Sequence, residues 1–134
     1  MGQTLADFEV VAVDDGSMDA TASILKKWAA VDDRIRPLFQ PHRGIVTALN
    51  NGWQACQSSL IARMDADDLA HPERLERQVS SLNQQPEISI IGCCVESYPE
   101  DEARQGFQIY LDWQNSLLTD VDIRREMFLS LIHI

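Results

Sequence analysis

Two groups of carboxylates stand out by type and spacing: Asp14-Asp15, and Asp65-Ala66-Asp67-Asp68. Carboxylates bunched in this way repel one another, so the arrangement is costly unless a cation or hydrogen bonds compensate. Oxygen-rich clusters suit hard divalent ions such as Mg²⁺ or Mn²⁺. A cation held there would also let an acidic protein bind a diphosphate, bridging protein carboxylates and phosphate oxygens. The plainer alternative is that these aspartates cap helices and shape turns. That account suits a lone Asp-Asp pair; two clusters, each following an apolar run, tilt the balance toward the chemistry.

The elements that must position them are readable around each cluster. Phe8–Val13 is an apolar, β-branched run that stops abruptly at Asp14-Asp15-Gly16-Ser17, as a buried parallel strand does. Gly16 permits a sharp turn, and Ser17 or Asp19 can cap the helix that follows. That helix carries Ala20, Ile24, Leu25 and Trp28 on one face and Lys26 and Lys27 on the other. A short second strand is predicted over residues 35–39, with Pro37 making it an edge strand or an irregular one. A turn through Pro41-His42-Arg43-Gly44 leads to a helix marked by Ile45, Ala48, Leu49, Trp53 and Cys56. A third strand, 60–64, runs into Asp65–Asp68. A helix is predicted from Pro72 through Leu75, Val79 and Leu82, stopping before Pro86. Residues 88–94 read as a fourth strand.

The order β-α-β-α-β-α-β predicts an α/β fold: an open, mainly parallel sheet flanked by helices. Ligands of such sheets bind beyond the carboxyl ends of the strands, where both acidic clusters fall. After Val95 the pattern weakens: a loop over 96–106, a short strand over 107–111 and a helix over 116–130. The last residues, 129–134, are apolar and uncapped, as if the chain stops mid-domain.

Composition narrows the function. The 134 residues, 45% hydrophobic and 24% charged, are those of one ordinary globular domain and exclude disorder, collagen-like repeats and a coiled coil. A net charge of −10 and a pI near 4.5 disfavour nucleic acid and anionic lipid as partners. A phosphorylated ligand then needs a metal cation or a local basic spot. No run of 18 apolar residues is present, and the first residues do not read as a signal peptide. Cys56, Cys93 and Cys94 form neither a disulfide framework nor a zinc pattern and read as buried, reduced thiols of a cytosolic protein.

The motifs carry a resemblance. Val13-Asp14-Asp15-Gly16-Ser17-Met18-Asp19-Ala20-Thr21 is similar to the Val-Asp-Asp-Gly-Ser-x-Asp-x-Thr signature of family-2 glycosyltransferases. Arg43-Gly44 through Ala48-Leu49-Asn50-Asn51-Gly52 looks like that family's next helix. Met64-Asp65-Ala66-Asp67-Asp68, followed by His71-Pro72-Glu73-Arg74-Leu75, resembles its Asp-x-Asp metal motif and the helix after it. All three agree in order and spacing over residues 8–95.

The resemblance implies a GT-A, nucleotide-diphospho-sugar transferase-like fold. It also implies metal-assisted, inverting sugar transfer from an activated donor to an acceptor hydroxyl. By position, Asp15 would hydrogen-bond the nucleobase, Asp14 would support that loop, and Arg43 would lie near the base or diphosphate. Asp65 would face the ribose or the metal shell. Asp67 would be the main ligand of Mn²⁺ or Mg²⁺, with Asp68 as helper. The expected donor is a UDP-sugar first, and the acceptor a glycan or a lipid-linked sugar. The expected setting is cytoplasmic polysaccharide or cell-envelope synthesis, with the parent protein peripheral to the inner membrane.

Two departures from the family pattern are visible. Family members begin with a further strand and helix, whereas this chain starts at what would be their second strand. They also supply a general base well downstream of the metal motif; here Glu96, Glu100, Asp101, Glu102 and Asp112 are candidates, none in a recognisable base motif. The expectation is a piece truncated at both ends and inactive alone. Residues 1–95 would be its nucleotide-sugar-binding core and 96–134 the start of the acceptor side. A sheet edge left open would drive self-association.

Other classes fit less well. A Mg²⁺-binding receiver domain needs a lysine after a late strand, and the only lysines are Lys26 and Lys27 on the first helix. A nucleotidyltransferase calls for a glycine-rich, basic phosphate loop. A non-catalytic nucleotide-binding scaffold would not need Asp65-x-Asp67 intact. Of the remaining residues, Trp28 and Trp53 read as core, and Trp113 as core or acceptor site. His71 reads as a helix-entry residue, Cys93-Cys94 as strand packing, and 100–102 as a solvated loop.

Overall fold

The computed structural model of the chain describes residues 2–98 and 105–131. Its elements are β1 (Val10–Asp14), α1 (Thr21–Ala29), β2 (Ile35–Phe39), α2 (Ile45–Ala55), α3 (Arg74–Gln84), α4 (Gln105–Ser116) and α5 (Asp120–Leu131). They fall into two compact units, Met1–Gln84 and Gln85–Ile134.

The first unit is built on a parallel pair, β1 beside β2, with Val10 opposite Ile35, Val13 opposite Leu38 and Asp14 opposite Phe39. Val10 N donates to Arg34 O (2.7 Å) and Gln40 N to Asp14 O (3.0 Å), so the ladder extends past the ends of β2. Those bonds fix which groups face inward: Val10, Ala12 and Asp14 turn their backbone toward β2, and Arg34, Arg36, Leu38 and Gln40 answer. Pro37 therefore points its missing N–H away from the ladder, as the edge-strand expectation requires. Val11 and Val13 direct their backbone groups to the other edge of β1, which no strand pairs among the described residues.

Side-chain alternation puts Arg36, Leu38 and Gln40 on one face and Phe39 on the opposite one. Helix α2 covers the first. Arg36 donates to Ala55 O (3.1 Å), and Asn51 Nδ2 to Gln40 Oε1 (2.6 Å). Helix α1 covers the second, with Lys26 Nζ 5.1 Å from the Phe39 ring centre. The result is the expected α/β architecture, a small parallel sheet with helices on both faces. Helix α2 reaches β1 closely through Gly52, where a Cβ would lie 3.0 Å from Val13 Cγ2.

Small residues make these approaches, and that turns the large ones outward. Trp28 is 56% exposed and Trp53 66%, against the expectation that both are core. In α1 the half-buried positions are Thr21, Ala22, Leu25 and Ala29.

The predicted strand over 60–64 does not form. Leu60, Ile61 and Met64 are 43%, 48% and 45% exposed. A strand needs a neighbour for its N–H and C=O groups. Here Arg63 O instead accepts from Arg74 Nη2 (3.1 Å), and Leu60 N donates to Ser58 Oγ (3.3 Å). Helix α3 starts at Arg74, two residues later than expected. His71 provides its entry: its Nδ1 accepts from Glu73 N (3.3 Å) and its O from Arg74 N (2.9 Å). The N-terminal segment ties down this start, Thr4 N donating to Pro72 O (2.8 Å) and Gln3 Nε2 to His71 O (2.8 Å).

In the second unit the predicted strand 88–94 is also absent, and Cys93 and Cys94 are exposed rather than buried; Cys56 is half-buried, and all three thiols are free. Asn115 holds the residue that follows this segment. Its amide accepts from Val95 N (2.8 Å) and donates to Val95 O (2.7 Å), the two bonds an adjacent strand would make. Residues 107–111, expected as strand, lie inside α4. Phe107, Tyr110 and Trp113 recur every three residues and lie in series, the first pair stacked and the second tilted, with ring centres 6.4 and 5.7 Å apart. The predicted helix over 116–130 is broken at 117–119. Thr119 opens α5 with Asp122 as a reciprocal cap, Thr119 Oγ1 donating to Asp122 Oδ2 (2.6 Å) and accepting from Asp122 N (3.2 Å). Among the described residues, no helix is long and apolar enough to cross a membrane.

Candidate functional site

The carboxyl end of β1 holds the first acidic pair, and its two members do different jobs. Asp14 is 5% exposed, and its Oδ1 accepts from Ser17 N (2.8 Å), closing the turn after the strand. Gly16, at φ 82°, completes that turn. A Cβ on it would stand 2.8 Å from His42 N, so the β1–α1 and β2–α2 loops touch there. Asp19 then accepts from Thr21 N (2.9 Å) at the start of α1.

Asp15 reaches across to the second loop. Its Oδ1 accepts from Gln40 Nε2 (2.6 Å) and Arg43 N (2.9 Å); its Oδ2 accepts from Gly44 N (2.8 Å) and lies 2.8 Å from His42 Nδ1. Gly44, at φ 86° and ψ 163°, precedes α2 and has no side chain with which to cap it, so the Asp15 carboxylate supplies the anion at that N-terminus. The Arg43 amide, the Gln40 side chain, the Gly44 amide and the His42 ring together hold the Asp15 carboxyl below the ordinary aspartate range, against a smaller opposing effect of burial. The chain of bonds continues outward from Asn51 to Gln40 (2.6 Å). The Arg43 side chain is exposed and forms no ion pair among the described residues.

The second cluster is a solvated turn. Asp68 N donates to Asp65 O (3.2 Å), and all four residues Asp65–Asp68 are exposed. Asp65 is paired with Arg63 Nη2 at 2.6 Å. No group of three or more His, Cys, Asp or Glu converges to hold a metal among the described residues. The donors are nonetheless hard carboxylate oxygens open to solvent, which suits the way Mg²⁺ is usually bound, by one or two carboxylates plus substrate phosphates.

The structure thus brings Asp14, Asp15 and Arg43 together, and places Asp65, Asp67 and Asp68 on a turn of their own. No hydrogen bond or ion pair links the two clusters among the described residues. Gln40 joins the first cluster without having been singled out by sequence; His42, which the sequence puts beside the start of the second helix, and Asn51, from the matched stretch 48–52, join it as well. Of the base candidates, Glu96 is exposed, and Asp112 is exposed and accepts from Gln108 Nε2 (2.9 Å). Glu100, Asp101 and Glu102 lie outside the described residues.

Comparison with known proteins agrees with this geometry. The family model of glycosyl transferase family 2 matches residues 1–131. The amylovoran biosynthesis glycosyltransferase AmsE of Erwinia amylovora is 33% identical over 99 residues, 73% of this chain and 37% of that protein. An uncharacterized glycosyltransferase of Haemophilus influenzae is 31% identical over 137 residues, 99% of this chain and 42% of its own length. A chondroitin synthase of Escherichia coli is 37% identical over 76 residues, 57% of this chain and 11% of that enzyme. The chain therefore spans less than half the length of these relatives, and no solved structure matches it. With acidic motifs, strand–turn–helix setting and a match over nearly every residue in agreement, the chain belongs to glycosyl transferase family 2.

Proposed function

We propose that this chain is the donor-nucleotide part of an enzyme that moves a sugar from a nucleoside diphosphate onto an acceptor hydroxyl, with inversion, in polysaccharide assembly. The observation that carries this reading is Asp15, a carboxylate beyond the end of a parallel strand, locked against the start of α2 beside Arg43, whose exposed side chain forms no ion pair among the described residues. That is where open α/β sheets bind nucleotides.

In this reading Asp15 receives a ring N–H of the base, Asp14 fixes the loop, and the Arg43 guanidinium meets the diphosphate. Arg43 resolves the conflict between a net charge of −10 and an anionic ligand. Asp65 faces the ribose or the metal shell, and Asp67 is the principal ligand of Mn²⁺ or Mg²⁺. When bound, that cation neutralises charge on the departing diphosphate. UDP-sugars are the favoured donors, with the uracil ring N–H on the Asp15 carboxylate. The names of relatives in amylovoran and chondroitin synthesis support a glycan or lipid-linked acceptor. A cytoplasmic setting at the inner face of a membrane and pairing of copies through the open edge of β1 belong to the same proposal.

A thermal-shift titration of the chain with UDP and GDP, each with and without Mn²⁺, tests it. Ligand that binds only the folded state raises Tm by mass action. The expected result is a Mn²⁺-dependent rise with UDP that disappears in Asp67→Asn. A folded chain whose Tm does not respond to either nucleotide overturns the proposal.

A further inference from the structure

Four donors share the Asp15 carboxylate, two on each oxygen. A carboxylate offers about four lone-pair positions. The ring N–H of a base can therefore bind Asp15 only if one donor leaves, a consequence that rests on the nucleotide reading above and extends it.

The four donors differ in how firmly they are held. Arg43 N and Gly44 N are backbone groups leading into α2. Gln40 is anchored at its other end by Asn51 (2.6 Å). Among the described residues His42 has no such anchor: its side chain is 81% exposed, and its polar contacts are both to Asp15, Nδ1 lying 2.8 Å from Oδ2 and 3.1 Å from the main-chain O. Both of those atoms are acceptors, so Nδ1 must carry the proton. It presents to Oδ2 the same group, a planar ring N–H, that uracil presents at its imide nitrogen.

We propose that His42 is a place-holder, its imidazole N–H occupying the Asp15 oxygen that the nucleobase takes on binding. The imidazole swings into solvent as the base enters, and one ring N–H···O bond replaces another. Displacement at this exposed position leaves the two backbone donors and Gln40 in place, so the loop stays organised while the seat empties. Apparent affinity is reduced by the fraction of molecules in which the seat is free.

UDP titrations of the chain, of His42→Ala and of His42→Asn test this, with CDP as the control nucleotide. If His42 fills the seat most of the time, His42→Ala tightens UDP binding about three- to tenfold. His42→Asn, whose amide restores an N–H donor, returns toward the unaltered affinity. Cytosine carries no proton on the corresponding ring nitrogen, so CDP binds weakly throughout. A histidine that merely shaped the loop would give the opposite sign, weaker UDP binding on removal. Unchanged or weaker binding by His42→Ala, with UDP still preferred over CDP, overturns the place-holder and leaves the base reading of Asp15 standing. Equal binding of UDP and CDP, or no binding by any variant, overturns both.

Discussion

Gly16→Ala is the substitution that most directly interrogates how the site is assembled. At φ 82° an L-residue enters the left-handed region, at a cost of about 1–2 kcal/mol. The new Cβ would stand 2.8 Å from His42 N and 3.3 Å from His42 Cα and Cβ. Comfortable carbon contacts are about 3.5–4.0 Å. The obstacle is backbone, which cannot step aside as a side-chain tip can, and overpacking of this kind costs about 1–3 kcal/mol. Together the two effects remove about 2–5 kcal/mol, a large share of the roughly 5–15 kcal/mol that holds a domain folded.

The loops must also separate, and the Asp15 bonds at 2.6–2.9 Å that join them lengthen toward the limit of useful geometry. Urea unfolding followed by far-UV circular dichroism measures the stability loss, and the UDP titration reads the site. Gly16→Asn separates the two contributions. Asparagine tolerates left-handed backbone but brings the same Cβ, so it recovers about 1 kcal/mol and leaves the clash in place. Wild-type stability in Gly16→Asn would refute the close approach of the loops. A loss below about 0.5 kcal/mol in Gly16→Ala, the scale of an ordinary surface change, would refute the whole argument.

Two further outcomes follow from the same kind of reasoning. The Asp32 carboxyl is held down to about 2, first by its side-chain bonds to the Arg34 guanidinium and then by the Arg34 amide. Because the folded value lies below the unfolded one, its stabilisation is complete above roughly pH 4 and is lost as pH falls from 4 toward 2. The urea midpoint should drop over that window, and Asp32→Asn should flatten the drop; an equally steep fall in the variant would assign it to other carboxylates, such as Asp15 and Glu9, which are shifted in the same direction. Thr119→Ala removes the N-terminal cap of α5 at a cost of about 1 kcal/mol, and Thr119→Ser restores it. Helical circular dichroism with the alanine variant equal to wild type would show that the cap is idle.

What the sequence makes legible is what local interactions decide. The run Phe8–Val13 followed by Asp14-Asp15-Gly16 specifies a strand, a tight turn and an acidic pair within nine residues, and all three are found. Pro37 marks β2 as an edge strand through its own missing N–H. The failures at 60–64 and 88–94 have one cause: strand propensity describes a residue's fitness for a ladder, but the ladder needs a neighbour that the segment itself does not supply. Arg74 binds one carbonyl of the first segment instead, and Asn115 holds the N–H and C=O of Val95, just past the second. Residues 107–111 are a different kind of miss. The i, i+3 recurrence of Phe107, Tyr110 and Trp113 was available in the sequence, and it is helical rather than alternating. The motifs brought Arg43 and Gly44 near the site, but which groups bond the Asp15 carboxylate was not legible. Gln40 and His42 are 25 and 27 residues away along the chain and meet it only because β1 and β2 run parallel, and Asn51 of α2 reaches Gln40 rather than Asp15.

The wiring of the first cluster bears on the role of the second. Asp14 and Asp15 together accept five N–H groups: one from Ser17, one each from the amides of Arg43 and Gly44, and one each from the side chains of Gln40 and His42. Lone pairs already directed at protein donors are poor ligands for a cation, and the repulsion that made the pair costly in sequence is relieved by these bonds without a metal. Asp67 and Asp68 stand exposed, and among the described residues the only carboxylate of their turn with a cationic partner is Asp65. Their repulsion has no comparable internal remedy. In this division the upstream pair serves as a hydrogen-bonding seat and the downstream turn as the cation-seeking one. Asp67→Asn should therefore abolish the Mn²⁺ dependence of UDP binding while leaving its metal-free part intact, whereas Gly16→Ala should weaken both. Equal sensitivity of the two nucleotide signals to Asp67→Asn would break the division.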